Sequence, residues 1–430
     1  MAVDQTAQLV EENARLRKAV QELSVLNELA RDISSTMSLD EVIQNVVKRS
    51  VRALGSQQGT ISLVKEEAAD QMKTYIRAND STANHEQFHL AQNILGWMLL
   101  NKKPMVSNDL QSDPRFQGVK VESGIRSVLC VPLLVKNSLI GILSVFNKED
   151  GAQFSEDDKR LLSIIATQSA QVLENARLYN QEKNLLAIEE QMKLAQNIQL
   201  GLLPKSSPPI EGYDIAGASF PAQSVGGDYF DFISLDEGRW AICLGDVTGK
   251  GLPASLLMAN VQATLRGQAI VSASPKECLT RANRLLFEST SAEKFVTLFY
   301  AILDHKNHRF WFCNAGHDHP YHVASTNAIR RLKTGGLMLG VIPNYPFEEE
   351  ETAVNQGDTI VITSDGVTEA ANVNGDFFGD PALEKVILEN RSLSAGQLLN
   401  RIVESVKVHA GSQPQSDDIT IVVIKRAAAG

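Results

Sequence analysis

The chain has 430 residues, 43% of them apolar, and a formal net charge of −10. That length exceeds one ordinary core, and the apolar share excludes global disorder. The negative balance offers no basic stripe for nucleic acid or for an anionic membrane surface. The first residues lack the basic and apolar regions of a signal peptide, and apolar runs such as 127–135 are too short to cross a bilayer. Cys130, Cys243, Cys278 and Cys313 stand far apart, with no paired spacing, which predicts reduced, buried thiols in a cytoplasmic protein.

In chain order, Leu9, Leu16, Leu23 and Ala30 recur every seven residues, with Glu12 interrupting the second stripe. This predicts an N-terminal helix over residues 1–25, packed either on the next domain or in a dimer coiled coil. Residues 39–54 read as an amphipathic helix opened by Ser38 with Glu41 three residues on. Two β-rich runs, 127–135 and 139–146, flank Lys136-Asn137-Ser138 and predict a hairpin. Ser155 opens a helix whose first residues, Glu156, Asp157 and Asp158, suit its positive end.

Gly96-Trp97, the stretch from Asn108-Asp109 to Asp113-Pro114-Arg115-Phe116, the hairpin, and Asn147-Lys148 followed by Phe154 and Asp158 together resemble a GAF sensor domain. The resemblance covers residues 26–175 and departs from the pattern at Lys159, where an acid is expected. It implies that Lys148 and Asp158 brace the fold. It names no ligand, and Cys130, inside a predicted strand, does not suit bilin attachment.

Residues 161–203 form one helical pattern without Gly or Pro until Gly201. One stripe runs through Ile165, Val172, Tyr179 and Leu186; further on, Leu178, Leu185 and Met192 fit better. Either a coiled coil changes its winding there or two helices meet. Residues 176–205 are thus a helical linker of a homodimer, closed by Pro204, Pro208 and Pro209.

The C-terminal domain, 206–428, groups its strands with helices between them, which predicts α+β layers. Four aspartates stand in Gly- or Ser-marked turns beside apolar strand patterns: Gly226-Gly227-Asp228, Gly245-Asp246-Val247, Ser364-Asp365-Gly366 and Ser416-Asp417-Asp418. Carboxylates at strand ends suit hard, oxygen-seeking cations. The segment Gly245-Asp246-Val247-Thr248-Gly249-Lys250-Gly251 is not a phosphate-binding P-loop, because the glycine spacing is short and Gly251 replaces the required hydroxyl. Converging carboxylates repel one another unless cations neutralise them, so two divalent ions are expected, able to activate a water for attack on phosphorus.

These segments, with Asn314-Ala315-Gly316-His317 and the stretch from Gly336 to Leu339-Gly340, resemble the metal-dependent serine/threonine protein phosphatases of the PPM family, and most of all their SpoIIE-like bacterial branch. The resemblance implies a pair of packed β-sheets flanked by helices and two Mn²⁺ or Mg²⁺ ions. It assigns Asp246 as bridging ligand, Val247 as a carbonyl ligand, and Asp228, Asp365 and Asp417 as the remaining ligands, all serving catalysis. Asp418, Thr248, Lys250 and Gly227 support them. Thr248 stands where relatives have a proposed acid, and no phosphate-gripping Arg precedes Asp228. Lys250 is read as a phosphate contact or a solvated lysine, His317 as a structural hydrogen bonder, and Phe295, Phe299 and Trp311 as core. The implied substrate is a phosphorylated STAS-type anti-sigma-factor antagonist, dephosphorylated under GAF control. The alternative is a non-catalytic sensory scaffold, against which the full set of aspartates counts.

Overall fold

A computed structural model describes residues 38–64, 73–78, 92–116, 124–291 and 293–427. The expected N-terminal helix over 1–25 lies outside these residues. The chain divides into two compact units, Met1–Ala187 and Ile188–Gly430.

In the first unit, helix α1 (Leu39–Leu54) opens with the anticipated capping box: Ser38 Oγ accepts from Glu41 N–H, and Glu41 accepts from Ser38 N–H. Strands β1 (Ser56–Leu63) and β2 (Lys73–Ala78), helix α2 (Gln92–Asn101), and strands β3 (Met105–Ser107), β4 (Val128–Val135) and β5 (Ser138–Lys148) follow. They form an antiparallel sheet in the order β2-β1-β5-β4-β3. The β4–β5 turn holds Lys136 and Asn137 at φ 46° and 71°. Two successive positive φ values are what a two-residue hairpin of right-handed twist requires.

Alternation then sorts the side chains. Leu129, Val131, Leu143 and Val145 pack with Val42, Ile43 and Val47 of α1 and with Leu162, Ile165 and Ala166 of α3 (Glu156–Leu202). Val128, Cys130, Ile142 and Phe146 face Met98, Met105 and Leu110 on the other side. The motif residues brace this frame, as expected. Lys148 pairs with Asp158 at 2.9 Å, and Asn108 exchanges two hydrogen bonds with the backbone of Phe154. Asn147 accepts from Arg126 and Ser127 N–H and donates to Gln57 and Gly124.

Helix α3 runs unbroken for 47 residues, so the slip near residues 179–185 is not a junction of two helices. After it come β6 (Tyr213–Phe220), β7 (Tyr229–Ser234), β8 (Arg239–Val247), α4 (Leu252–Val271), α5 (Pro275–Ser289), β9 (Val296–Asp304) and β10 (Arg309–Ala315). Short strands β11 (Tyr321–Val323), β12 (Ile329–Arg331), β13 (Gly335–Gly336) and β14 (Glu350–Ala353) precede β15 (Thr359–Thr363). The chain closes with α6 (Asp365–Thr368), α7 (Gly379–Glu389), α8 (Ala395–Ala410) and β16 (Ile419–Arg426).

One sheet runs β13-β10-β9-β8-β7, with β14 also on β10; the other runs β12-β11-β15-β16-β6. Residues of both sheets meet in a common core: Ile242, Leu244, Phe299 and Phe312 from one, Ile215, Ile360, Ile362 and Val422 from the other. The outer face of the first sheet is covered by α4 and α5 through Met258, Val261, Leu265, Leu279 and Leu286. Helices α7 and α8 cover the second through Leu383, Ile387, Leu398 and Ile402. Each such side chain contributes about 1.5–3 kcal/mol by leaving water, which holds the strand ends in register. Of the three aromatics expected in the core, Phe299 is fully buried, whereas Phe295 and Trp311 are half-buried. Trp311 lies on β10 opposite Glu351 of β14 and packs, partly buried, against the core beneath α4 and α5. All four cysteines are buried and free.

Candidate active site

Register places the aspartates. Tyr229 of β7 pairs with Gly245 of β8, so Asp228, just before β7, comes beside Asp246 at the same sheet end. Thr363 of β15 pairs with Ile421 of β16, so Asp365, just after β15, comes beside the Asp417-Asp418 pair that leads into β16. Asp365 starts the short helix α6 rather than a plain turn. Downstream of Asp228, β7 is fixed by fully buried Asp231, which accepts from Tyr229 Oη at 2.7 Å and from Arg266 of α4 at 2.7 and 3.1 Å.

The electrostatics link all four groups. Asp228 is buried, and its carboxyl is held well above the ordinary range by burial first and by the charge of Asp246 second. Asp246 is pushed up to about 7 by burial, then by Asp365, Asp417 and Asp418. Asp365 is raised by burial and then by Asp417. Sequence reasoning missed Asp318, directly after the Asn314–His317 motif, whose carboxyl is raised by burial and by Asp365.

Asp418 is an anchor. Its carboxylate accepts from Ala222 N–H at 2.8 Å, Gly227 N–H at 2.7 Å and Asp228 N–H at 3.4 Å. Its backbone N–H donates to Asp417 Oδ1 at 2.9 Å, and its carbonyl accepts from Ser364 Oγ at 3.0 Å. A Cβ at Gly366 would strike that same carbonyl, so only glycine fits after Asp365. Lys250 pairs with Asp417 at 2.9 Å and donates to the Ser416 carbonyl at 2.8 Å.

Thr248 is pinned to the start of β9, its Oγ1 accepting from Phe295 N–H at 3.2 Å. His317 is buried, with Nδ1 3.1 Å from Oγ1 of Thr297, the residue paired with Asp246. Burial pushes its imidazole down to about 4, so it is neutral. Its backbone closes a turn with Asn314: His317 N–H donates to Asn314 Oδ1, and Asn314 Nδ2 donates to the His317 carbonyl. Its Nε2 is buried with no hydrogen-bond partner.

One contact had no sequence signal. Gln199, near the end of α3 and 7% exposed, donates to the Gly226 carbonyl at 2.7 Å and accepts from Gly226 N–H at 3.0 Å. Both backbone groups of the residue two before Asp228 are held by this side chain.

Among the described residues, no three carboxylate, imidazole or thiolate side chains already sit in the spacing of a finished metal cage. Three features nevertheless fit divalent cations. Asp228 Oδ2 is buried with no hydrogen-bond partner. Three acids are raised together, by burial first and by one another's charge second, and a bound cation offsets both. A Cβ at Gly227 would fill the space between the Val247 carbonyl and Asp246 Oδ1, two oxygens of the kind hard cations take.

Residues 236–427 match the family model "Stage II sporulation protein E (SpoIIE)", and residues 36–174 match "GAF domain". The chain is 32% identical over 253 residues to phosphoserine phosphatase RsbU of Bacillus subtilis, covering 58% of this chain and 75% of that protein. It is 28% identical over 291 residues to protein IcfG of Synechocystis, covering 59% of this chain and 46% of that protein. In fold it is similar to the SiaA-PP2C domain of Pseudomonas aeruginosa, with a TM-score of 0.51, 21% identity, and coverage of 56% of this chain and 98% of that one. No helix among the described residues is long and apolar enough to cross a membrane. The chain belongs to the SpoIIE-type serine/threonine protein phosphatases, Mn²⁺- or Mg²⁺-dependent hydrolases, and carries a GAF domain ahead of its phosphatase domain.

Proposed function

We propose that this phosphatase hydrolyses phosphoserine or phosphothreonine on a STAS-type regulatory protein, under control of its GAF domain through the helix α3. The observation that carries the chemistry is the mutual crowding of Asp228, Asp246, Asp365 and Asp417 at one end of the two sheets. These four, with the Val247 carbonyl, would hold two divalent cations. Bound there, such ions supply an acidic water nucleophile and positive charge against the phosphoryl oxygens.

The chain's own residues set the stage for that reaction. Asp418 fixes the amides of Gly227 and Asp228, so the Asp228 carboxylate is aimed before substrate arrives. Lys250, half-exposed at the rim, adds a cation where an incoming phosphate dianion passes. Thr248 Oγ1 accepts from Phe295 N–H and His317 Nδ1 bonds Thr297, so both side chains are positioned by the frame of β9. The substrate class follows the likeness to RsbU, whose name records phosphoserine hydrolysis. The two sheets with outer helices are read as the PPM β-sandwich, and residues 26–175, 176–205 and 206–428 as sensor, linker and phosphatase.

The Gln199 contact supports regulation through α3. The same helix contributes Leu162 and Ile165 to the GAF core and ends in the clamp on Gly226. It also exposes Leu178, Leu185, Ile188, Leu194 and Ile198, apolar surface suited to a second copy in a homodimer. Gln199→Ala leaves the N–H and C=O of Gly226 unpaired, at a cost of about 2 kcal/mol. Steady-state kinetics should show turnover about tenfold lower and a higher Mn²⁺ requirement. Wild-type turnover at every Mn²⁺ concentration would remove the coupling from the account.

The activity itself is tested by phosphate release from a phosphorylated STAS-domain protein. The full chain with Mn²⁺ should release phosphate, stop with EDTA and resume when Mn²⁺ is restored. Release that continues unchanged in EDTA would defeat the reading.

A further inference from the structure

Beside the carboxylates lies a cavity of about 340 Å³ that the chemistry above does not use. Ala370 and Ala371 line it with Val406 and Ala410 of α8 and with Ile419, while Lys407, Gln413 and Gln415 add polar groups to a mainly apolar lining. Gly366 and Ser416 also line it, and they are the chain neighbours of Asp365 and Asp417. The cavity thus reaches the residues next to two of the four carboxylates. Its volume is at the low end for ligand pockets, enough for one or two side chains and small for a whole metabolite.

Next to it, residues 371–377 form a tight loop built to be rigid. An isolated bridge joins Ala371 to Phe377. Asn372 Oδ1 accepts from Asn374 and Asp376 N–H, and Asn372 Nδ2 donates to Asp376. His409 of α8 hydrogen-bonds the Asp376 carbonyl at 2.9 Å and meets the Phe378 ring edge-on at 5.5 Å. So held, the loop presents Val373 and Phe377 to water at 62% and 63% exposure. A rigid loop that shows a valine and a phenylalanine beside an apolar hollow has the features of a recognition surface.

We propose that this cavity, with the rim of Val373 and Phe377, docks an apolar side chain of the phosphoprotein substrate lying near its phosphoserine in sequence. The occupant follows from continuity: Gly366 and Ser416 line the cavity and adjoin Asp365 and Asp417, so a chain whose phosphoserine sits at those carboxylates has its neighbouring residues within reach of the cavity. Small residues at 370, 371 and 410 leave the room that such a side chain fills. The proposal rests on the phosphoserine-phosphatase reading and adds how the site chooses among phosphoserines.

The test uses the full chain with Mn²⁺, phosphoserine peptides flanked by leucine or by serine, and p-nitrophenyl phosphate. Wild type should favour the leucine peptides about tenfold in kcat/KM, the range one apolar group can supply. Phe377→Ser and the cavity-filling Ala410→Phe should each bring that ratio to about one, mainly through KM, with thermal melts showing folded protein. Equal handling of both peptides by wild type, or variants that lower all three substrates by one common factor, overturns the docking pocket and leaves the phosphatase reading intact. Hydrolysis of p-nitrophenyl phosphate but of neither the phosphoserine peptides nor a phosphorylated STAS-domain protein defeats the phosphoserine reading and the pocket with it.

Discussion

Asp246→Asn should abolish phosphatase turnover, by about a thousandfold, and at the same time stabilise the protein in EDTA at neutral pH. The two effects share one cause. Asp246 sits at the end of β8 among Asp365, Asp417 and Asp418, and its carboxyl is pushed up to about 7 by burial and by those charges. Its folded pKa lies above the unfolded value of about 3.9. The stability it contributes is therefore fully present below about pH 4 and is lost as pH rises through 7. At pH 8 the charge costs the metal-free fold on the order of 2 kcal/mol, given about 1.4 kcal/mol per unit of displacement and sharing of the effect among coupled acids. Asparagine keeps the shape without the charge. Thermal melts in EDTA between pH 4 and 8 should fall steadily for wild type and stay flatter for the variant, which melts several degrees higher at pH 8. A wild-type profile as flat as the variant's would mean that the carboxylates are not crowded as described.

Asp418→Ala should act in the opposite sense, losing stability and activity together. Asp418 is 8% exposed, and its carboxylate receives the amides of Ala222, Gly227 and Asp228. Alanine leaves those N–H groups without an acceptor. Buried amides bonded to a charged group are worth about 1.5–3 kcal/mol each, so a loss of about 3 kcal/mol in denaturant melts is expected. Turnover should fall about a hundredfold, because Asp228 is no longer aimed at Asp246. Asp418→Asn keeps one acceptor oxygen, for Gly227 and Asp228, and turns a donor amide toward Ala222 N–H, so it should recover part of both. Wild-type stability and turnover in the Asp418→Ala protein would contradict the anchoring of the Gly227 loop.

These variants also show what could be read from residues alone. The strand-end positions of Asp228, Asp246, Asp365 and Asp417 were legible because each stands where a strand pattern meets a glycine or serine, and antiparallel pairing of β7 with β8 and β15 with β16 brings such ends together. The Ser38 capping box and the Lys136-Asn137 turn were legible because their chemistry is local. Strands of two to four residues, β11 to β14, were not, since so short a run carries no period. Asp365 opens a helix because α6 follows β15 at once, which a strand-end reading does not distinguish from a turn. Gln199 left no trace at all: a glutamine on a polar helix looks solvated until Gly226 is folded against it. Asp231 was passed over for a similar reason, because its partner Arg266 is 35 residues away.

The central claim is that Asp246 stands at the heart of a divalent-cation site that performs the hydrolysis. It is tested most directly by titrating the full chain with Mn²⁺ at pH 8, following bound metal by electron paramagnetic resonance and phosphate release from a phosphoserine protein in the same samples. Saturable binding that tracks the rise in turnover, with both weakened at least about a hundredfold by Asp246→Asn, is the predicted result. Full turnover without saturable binding, or wild-type Mn²⁺ binding by Asp246→Asn, would contradict it.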